Sequence, residues 1–190
     1  MRVLVPGGCG YIGAQLVPVL LTRGHTVSVV DEMWFGSGSL PRDNGSLSSS
    51  MRSALPENVE FENHDAVIDL AGMTNNAMCE LNPVLDHQNN RIRFTNFARG
   101  ARASGIKHFI YASSVAAYGS TKTPATEDTP LRPTTLYGAS KALCEARAME
   151  LESESFAVTI VRAASVVGAS MNMRFDTTMN KMAHDAARYG

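Results

Sequence analysis

A doubly wound α/β fold built on a parallel sheet is the fold class this sequence predicts, and three observations predict it. Short apolar strands alternate with helix-length segments along most of the 190 residues. A glycine-rich turn, Gly7-Gly8-Cys9-Gly10-Tyr11-Ile12-Gly13, joins the first strand to the first helix. An acidic residue, Asp31, ends the next strand. Strands covered on both faces read as continuous apolar runs, and parallel neighbours need helical crossovers, so this alternation specifies a sheet with helices on both sides.

Taken in order, Arg2 to Pro6 is a short buried strand carrying Val3, Leu4 and Val5. Gly13 to Arg23 holds Leu16, Val19 and Leu20 at helical spacing, with Gly24 placed to end the helix. Val27 to Val30 is the second strand, and Asp65 to Leu70, His108 to Ala112 and Val158 to Arg162 repeat the pattern. Asn89 to Ser104 and Tyr137 to Ser153 are the clearest later helices, and Thr177 to Arg188 is helix-like. Phe35 to Ser53, rich in Gly, Ser, Pro and Asn, reads as a surface loop. Val59-Glu60-Phe61 is strand-like but stands too close to the strand at Ala66 for a crossover of about a dozen residues. Either it is not a sheet strand or residues are missing between Phe61 and Ala66, and the spacing favours the omission.

Composition narrows the function. A formal net charge of -1 provides no basic field, so nucleic acid is not an expected partner. No run approaches the roughly 20 apolar residues that span a bilayer, and the N-terminus enters a strand directly, so a cytoplasmic protein without membrane contact is expected. Cys9, Cys79 and Cys144 lack CxxC spacing and read as small buried side chains, although Cys9 beside a helix N-terminus also fits a redox-sensitive thiol. The five histidines, His25, His64, His87, His108 and His184, share no ligand spacing, and no metal is expected. Met171, Met173, Met179 and Met182 are expected to pack on a core or an interface.

The glycine turn carries the cofactor expectation. Gly7 permits the tight turn, Gly10 lets backbone approach a pyrophosphate, and Gly13 lets the helix pack closely on the sheet. Helix N-terminal N–H groups, those of Tyr11 and Ile12 included, then hold the negative charge. The Asp31 carboxylate is placed to accept hydrogen bonds from the adenosine ribose and would repel a 2′-phosphate. Glu32 and Met33 follow it in place of an arginine, so NAD rather than NADP is the expected cofactor of a Rossmann-type domain. Tyr137 and Lys141 stand four residues apart at the start of a helix, on one face, where an ammonium can lower a phenol towards the working pH. Ser114 follows a strand whose carboxyl end faces the same crevice.

Together the motifs GGCGYIG, Asp31, DLAG at 69–72, Asn90, ASSVAAYG at 112–119, YGASK at 137–141 and RAASVVG at 162–168 resemble the extended short-chain dehydrogenase/reductases. Within these the resemblance is to the NAD-dependent epimerase/dehydratase family that acts on nucleotide sugars. It implies Tyr137 as the base, Lys141 as its activating ammonium and ribose contact, and Ser114 as the partner of the reacting oxygen. It also implies that Leu70, Ala71 and Gly72 line the cofactor, with Asn90 steadying it from behind. Ser165 stands where relatives use a substrate-contacting asparagine, and Asn172 and Arg174 fall in a substrate-side loop.

Val115 and Ala116 occupy the positions of a dehydratase Asp-Glu pair, which points away from water elimination. The family's Gly-Asp segment, whose aspartate contacts adenine, is lacking after Phe61. The resemblance implies a cofactor domain over 1–168, only the start of a substrate-binding portion over 169–190, and a homodimer. The function expected is epimerisation of a nucleotide sugar by transient oxidation, with a dehydratase, a dehydrogenase or a non-catalytic NAD-binding regulator as alternatives.

Overall fold

A computed structural model describes residues 1–36, 38, 40, 47–50 and 59–190. Six strands form one sheet: β1 (Arg2–Pro6), β2 (Thr26–Val30), β3 (Leu47–Ser50), β4 (Ala66–Asp69), β5 (His108–Ser114) and β6 (Ala157–Ala163). Their order is β3-β2-β1-β4-β5-β6 and every pairing is parallel. The expected doubly wound sheet is therefore the observed one. The order in which strands are added reverses between β1 and β4, and a crevice opens at the carboxyl ends of strands flanking such a reversal.

Alternate residues of β1 serve opposite faces of the sheet. Val3 and Val5 join Val17 of α1 (Gly13–Thr22), together with Val27 and Val29. Leu4 faces the other way, into a cluster with Val67, Phe94, Phe97, Phe109 and Phe156. The second cluster is the larger, and its aromatic rings meet edge-on or tilted, Phe94 lying 5.9 Å from Phe109 and 4.4 Å from Tyr111. It is closed by α4 (Arg93–Ala103) and α5 (Leu136–Met149).

Between β4 and α4 the chain forms α2 (Asn76–Leu81), α3 (Pro83–Asp86) and a π-helical turn over His87–Ile92. Neither α2 nor α3 was assigned from sequence, and the helix read from Asn89 to Ser104 begins within the π-helical turn. Asn75 starts α2 by accepting the Met78 N–H at 2.8 Å, and Asn82 starts α3 by accepting that of Leu85 at 3.0 Å, with Pro83 at the first helical position. Thr135 caps α5 in the same way through the Gly138 N–H. The last helix is α6 (Thr178–Tyr189).

Two expectations are corrected. Val59-Glu60-Phe61 is not a strand, and the third strand of the sheet is Leu47–Ser50, inside the stretch read as loop. With β3 placed there, a crossover of about a dozen residues fits before β4, and the spacing requires no omission. Residues 37, 39, 41–46 and 51–53, which also fall in the loop expectation, lie outside the described residues. Phe61 instead anchors the core, its ring 4.8 Å from Phe97. Gly100 in mid-α4 makes room for it, since a Cβ there would lie 2.8 Å from the Phe61 ring. The core half of the methionine reading is the second correction: Met171, Met179 and Met182 are exposed rather than packed on a core, while Met173 is half-buried and lines the crevice at the carboxyl edge of the sheet.

Phe94 is fully buried where the two layers meet. Phe94→Ala is expected to cost about 3–5 kcal/mol, through lost burial and the cavity left behind. Urea denaturation would read this as a lower midpoint at unchanged slope. A loss far smaller than this would mean that the aromatic cluster is not the main stabilising element.

Candidate functional site

At the carboxyl edge of the sheet lies a cleft of about 980 Å³, walled by the glycine turn, the ends of β2, β4, β5 and β6, the start of α5, and residues 172–177. Gly7 adopts φ 75°, donates its N–H to Val30 O at 2.9 Å, and lies so close to the end of β4 that a Cβ would sit 2.6 Å from Ala71 N. Only glycine meets both conditions. A Cβ on Gly13 would collide with the backbone of Gly8, so the close packing it permits is within the turn rather than on the sheet. A Cβ on Gly10 would meet only Gly7 O, at 3.3 Å, so its absence leaves the mouth of the turn open. No side chain caps the start of α1 and no acidic residue occupies its first turn. The turn therefore fits a pyrophosphate: open space, uncapped helix N–H groups and the positive end of a helix dipole coincide.

Asp31 lines the cleft at the end of β2. Its carboxylate accepts the Cys9 N–H at 2.9 Å and the Met33 N–H at 2.7 Å, tying the glycine turn to β2 and holding Met33 at φ 54°. That strained turn sets Trp34 and Phe35, both exposed, on the rim of the cleft. The Cys9 thiol is buried, and burial followed by the Asp31 charge pushes its pKa up to about 12. A reactive thiolate is thereby disfavoured, and the packing reading of Cys9 stands.

Ser114, Tyr137 and Lys141 all reach the cleft. Ser114 ends β5 and accepts the Ala116 N–H at 3.2 Å, starting the short helical turn Val115–Tyr118. Lys141 is buried and donates to Ala112 O at 2.7 Å, with its Nζ 4.8 Å from the Tyr111 ring and 5.7 Å from the Tyr137 ring. Burial lowers its pKa to about 8. The Tyr137 phenol departs from expectation: burial raises its pKa, while a hydrogen bond with Ser114 and the Arg174 charge pull it down. In this arrangement the lysine faces the Ala112 carbonyl, and the phenol is not held below its ordinary value.

Leu70, Ala71, Gly72, Tyr11, Ile12 and Ser165 also line the cleft. Asn90 does not. It is buried behind the wall, where it accepts the Met73 N–H at 2.8 Å and donates to Met73 O at 3.1 Å and to Asp86 at 2.7 Å. It holds the loop after β4 rather than touching a cofactor.

Residues 168–180 fasten onto the glycine turn. Tyr11 donates to Gly168 O at 2.7 Å, Ser170 to Tyr11 O at 2.9 Å, and Asn172 to Cys9 O at 2.7 Å. Asn172, which lines the cleft, thus also braces the turn. Arg174 is paired with Asp176 at 2.6 Å, and Asp176 also accepts from Asn75 at 2.9 Å across the cleft. The pairing raises the Arg174 pKa and lowers that of Asp176 to about 2.

Sequence reasoning missed the buried pair Asp69–Arg93, whose closest approach is 3.1 Å. The signal was a carboxylate inside the apolar run Ala66-Val67-Ile68-Asp69-Leu70, because a charge in a buried strand needs a partner. It also missed Arg162, which clamps Glu145 at 2.7 Å and Tyr118 at 2.8 Å and thereby braces β6 against α5.

A model of the NAD dependent epimerase/dehydratase family matches residues 3–189. A UDP-glucose 4-epimerase of Lactobacillus helveticus is 30% identical over 177 residues, which cover 90% of this chain and 53% of that protein. One of Corynebacterium glutamicum is 28% identical over 176 residues, 91% of this chain and 54% of that protein. The crystal structure of a Thermus thermophilus UDP-glucose 4-epimerase in complex with NAD matches with a TM-score of 0.77 at 27% identity, covering 85% of this chain and 54% of that one. The chain spans about half the length of these relatives.

Trp34 is the single tryptophan and reports on the cleft. Added NAD is expected to change its fluorescence saturably. Gly13→Ala is expected to weaken that response about tenfold or more, ~1.4 kcal/mol. Unaltered NAD affinity in a folded Gly13→Ala protein would remove the glycine turn from the cofactor site.

Proposed function

Because this chain belongs to the NAD-dependent epimerase/dehydratase family, we propose that it acts on a nucleotide sugar as an epimerase that oxidises one sugar hydroxyl transiently. The observation that carries this reading is the meeting of Ser114, Tyr137 and Lys141 in the same cleft as the glycine turn and Asp31. NAD held against the glycine turn and Asp31 would supply reversible hydride acceptance, so net epimerisation would consume none.

The chain's own groups have separate tasks. Ser114, whose hydroxyl already engages the phenol, holds the sugar oxygen beside it. Tyr137 takes the proton of that oxygen and later returns it. Burial keeps the phenol neutral at rest, so the base forms when the phenol gives its proton to water in the open cleft and the Lys141 ammonium, turned from Ala112 O towards it, stabilises the anion. Ala71 and Gly72 form the cofactor-facing floor, and Ser165 faces the substrate from the end of β6. Val115 and Ala116, next to Ser114, have no group to donate or accept a proton, which supports epimerisation over loss of water.

A homodimer belongs to the same reading. Ile92 and Leu143 are exposed and line one shallow depression together with Arg91, Arg99 and Arg147, a face on which a second copy would pack. A cytoplasmic location also belongs to it; separately, no helix among the described residues is long and apolar enough to cross a membrane.

Incubation with a panel of nucleotide sugars and catalytic NAD, followed by NMR, is expected to show inversion at one carbon without stoichiometric NADH. Accumulating NADH would make the protein a dehydrogenase, and loss of one water a dehydratase. Tyr137→Phe is expected to lower turnover about 10²–10⁴-fold while leaving NAD affinity within about twofold; unchanged turnover would remove the phenol from the mechanism. The pH profile has a stated sign. The phenolate fraction grows with pH while the Lys141 ammonium is lost above its pKa of about 8, so kcat/KM is expected to rise on the acid side and to level off above about 8, where the two changes offset each other. A profile still rising through that range would argue against an ammonium requirement.

A further inference from the structure

Asp69 ends β4 with its carboxylate out of contact with solvent, and Arg93 begins α4 almost as deeply buried. The Ala71 N–H donates to Asp69 Oδ1 at 3.0 Å. Arg93 Nη2 donates to both Asp69 oxygens, at 3.3 and 3.1 Å, and to the Ala71 carbonyl at 3.1 Å. Both polar groups of Ala71 are therefore held by one ion pair, directly under the floor of the cleft. On its other side the pair approaches Lys141. Asp69 stands opposite Tyr111 in the strand register, and the Tyr111 ring is 4.8 Å from Lys141 Nζ.

Stability does not explain this pair. Buried ion pairs are often no better for stability than well-packed apolar groups of the same size. Arg93 Nη1 is moreover buried without a hydrogen-bond partner, and an unmet buried donor is destabilising. Function does explain it. We propose that Asp69 and Arg93 are a positioning pair that fixes the cofactor-facing Ala71 backbone and sets the charge balance around Lys141.

Burial is the main influence on the lysine, and the groups facing it come from five elements: Asp69 from β4, Arg93 from α4, Tyr111 from β5, Cys79 from α2, and Cys144 with Tyr137 from α5. Asp69 favours the ammonium and Arg93 opposes it, so the two partners act on Lys141 with opposite signs. The proposal rests on the epimerase reading only for the use made of Lys141. Its test needs no turnover, so the two can fail separately.

The chain has four lysines, Lys107, Lys122, Lys141 and Lys181. Lysine-selective ¹⁵N labelling with Lys141→Arg as the assignment control therefore gives the Lys141 titration directly by NMR. Asp69→Asn is expected to move its midpoint to lower pH by about one unit, and Arg93→Gln to move it to higher pH by a similar amount. A purely structural pair predicts shifts of the same direction or none, and either result overturns the proposal. If one variant does not fold, the sign of the other decides. Arg93→Lys keeps the charge but loses the planar fork. It is expected to leave the midpoint in place and to weaken NAD binding, read by Trp34 fluorescence, about fivefold or more; NAD affinity equal to the unsubstituted protein would overturn the Ala71 part.

Discussion

Two parallel strands end side by side in this protein with their backbones almost touching, and the site is arranged around that contact. Gly7 at the end of β1 lies where any side chain would strike Ala71 and Leu70 at the end of β4. Because the strand order reverses between these two strands, their carboxyl ends are also where helices leave on opposite faces. Close approach there brings the N-terminus of α1, the Leu70-Ala71-Gly72 floor and the β5 terminus at Ser114 around one cleft. The constraint is steric and local, and it dictates which residue types can occupy the turn.

The other walls are held by polar side chains that are satisfied by backbone rather than by solvent. Asp31 joins the glycine turn to β2, Asn90 holds the loop after β4, and Asp69 with Arg93 holds Ala71. Tyr11, Ser170 and Asn172 fasten the C-terminal segment to the turn from outside. Each group needs a partner once removed from water. Satisfying that need fixes the position of the cleft wall to which the partner belongs. Residues that sequence motifs place at the site, Asn90 and Asn172 among them, also make hydrogen bonds within this framework.

The same accounting separates the reactive groups from the framework. Lys141 is buried with one strong acceptor, the Ala112 carbonyl, and its ammonium is already weakened by burial. Tyr137 is partly buried beside Ser114 and keeps its proton at rest. A phenol, a hydroxyl and an ammonium thus line one cleft without being consumed by a rigid network, an arrangement that is able to move a proton.

Much of this was legible in sequence, because its causes are local. Gly7, Gly10 and Gly13 answer steric demands within one turn, Tyr137 and Lys141 share a helix face by their spacing, and apolar runs mark β1, β2, β4 and β5. The failures have physical reasons too. Leu47-Ser48-Ser49-Ser50 has no apolar pattern and becomes a strand through backbone pairing with β2, whereas Val59-Glu60-Phe61 has the pattern and no neighbour to pair with. By itself the chain's order of residues determined the parallel sheet, the open glycine turn and three polar groups, Ser114, Tyr137 and Lys141, that meet in the cleft. Tertiary structure alone decided that Asn90 faces inward, that Arg174 is already paired, that Asp69 finds Arg93, and that Lys141 points at Ala112, because burial and partner choice are set by distances between segments far apart in the chain.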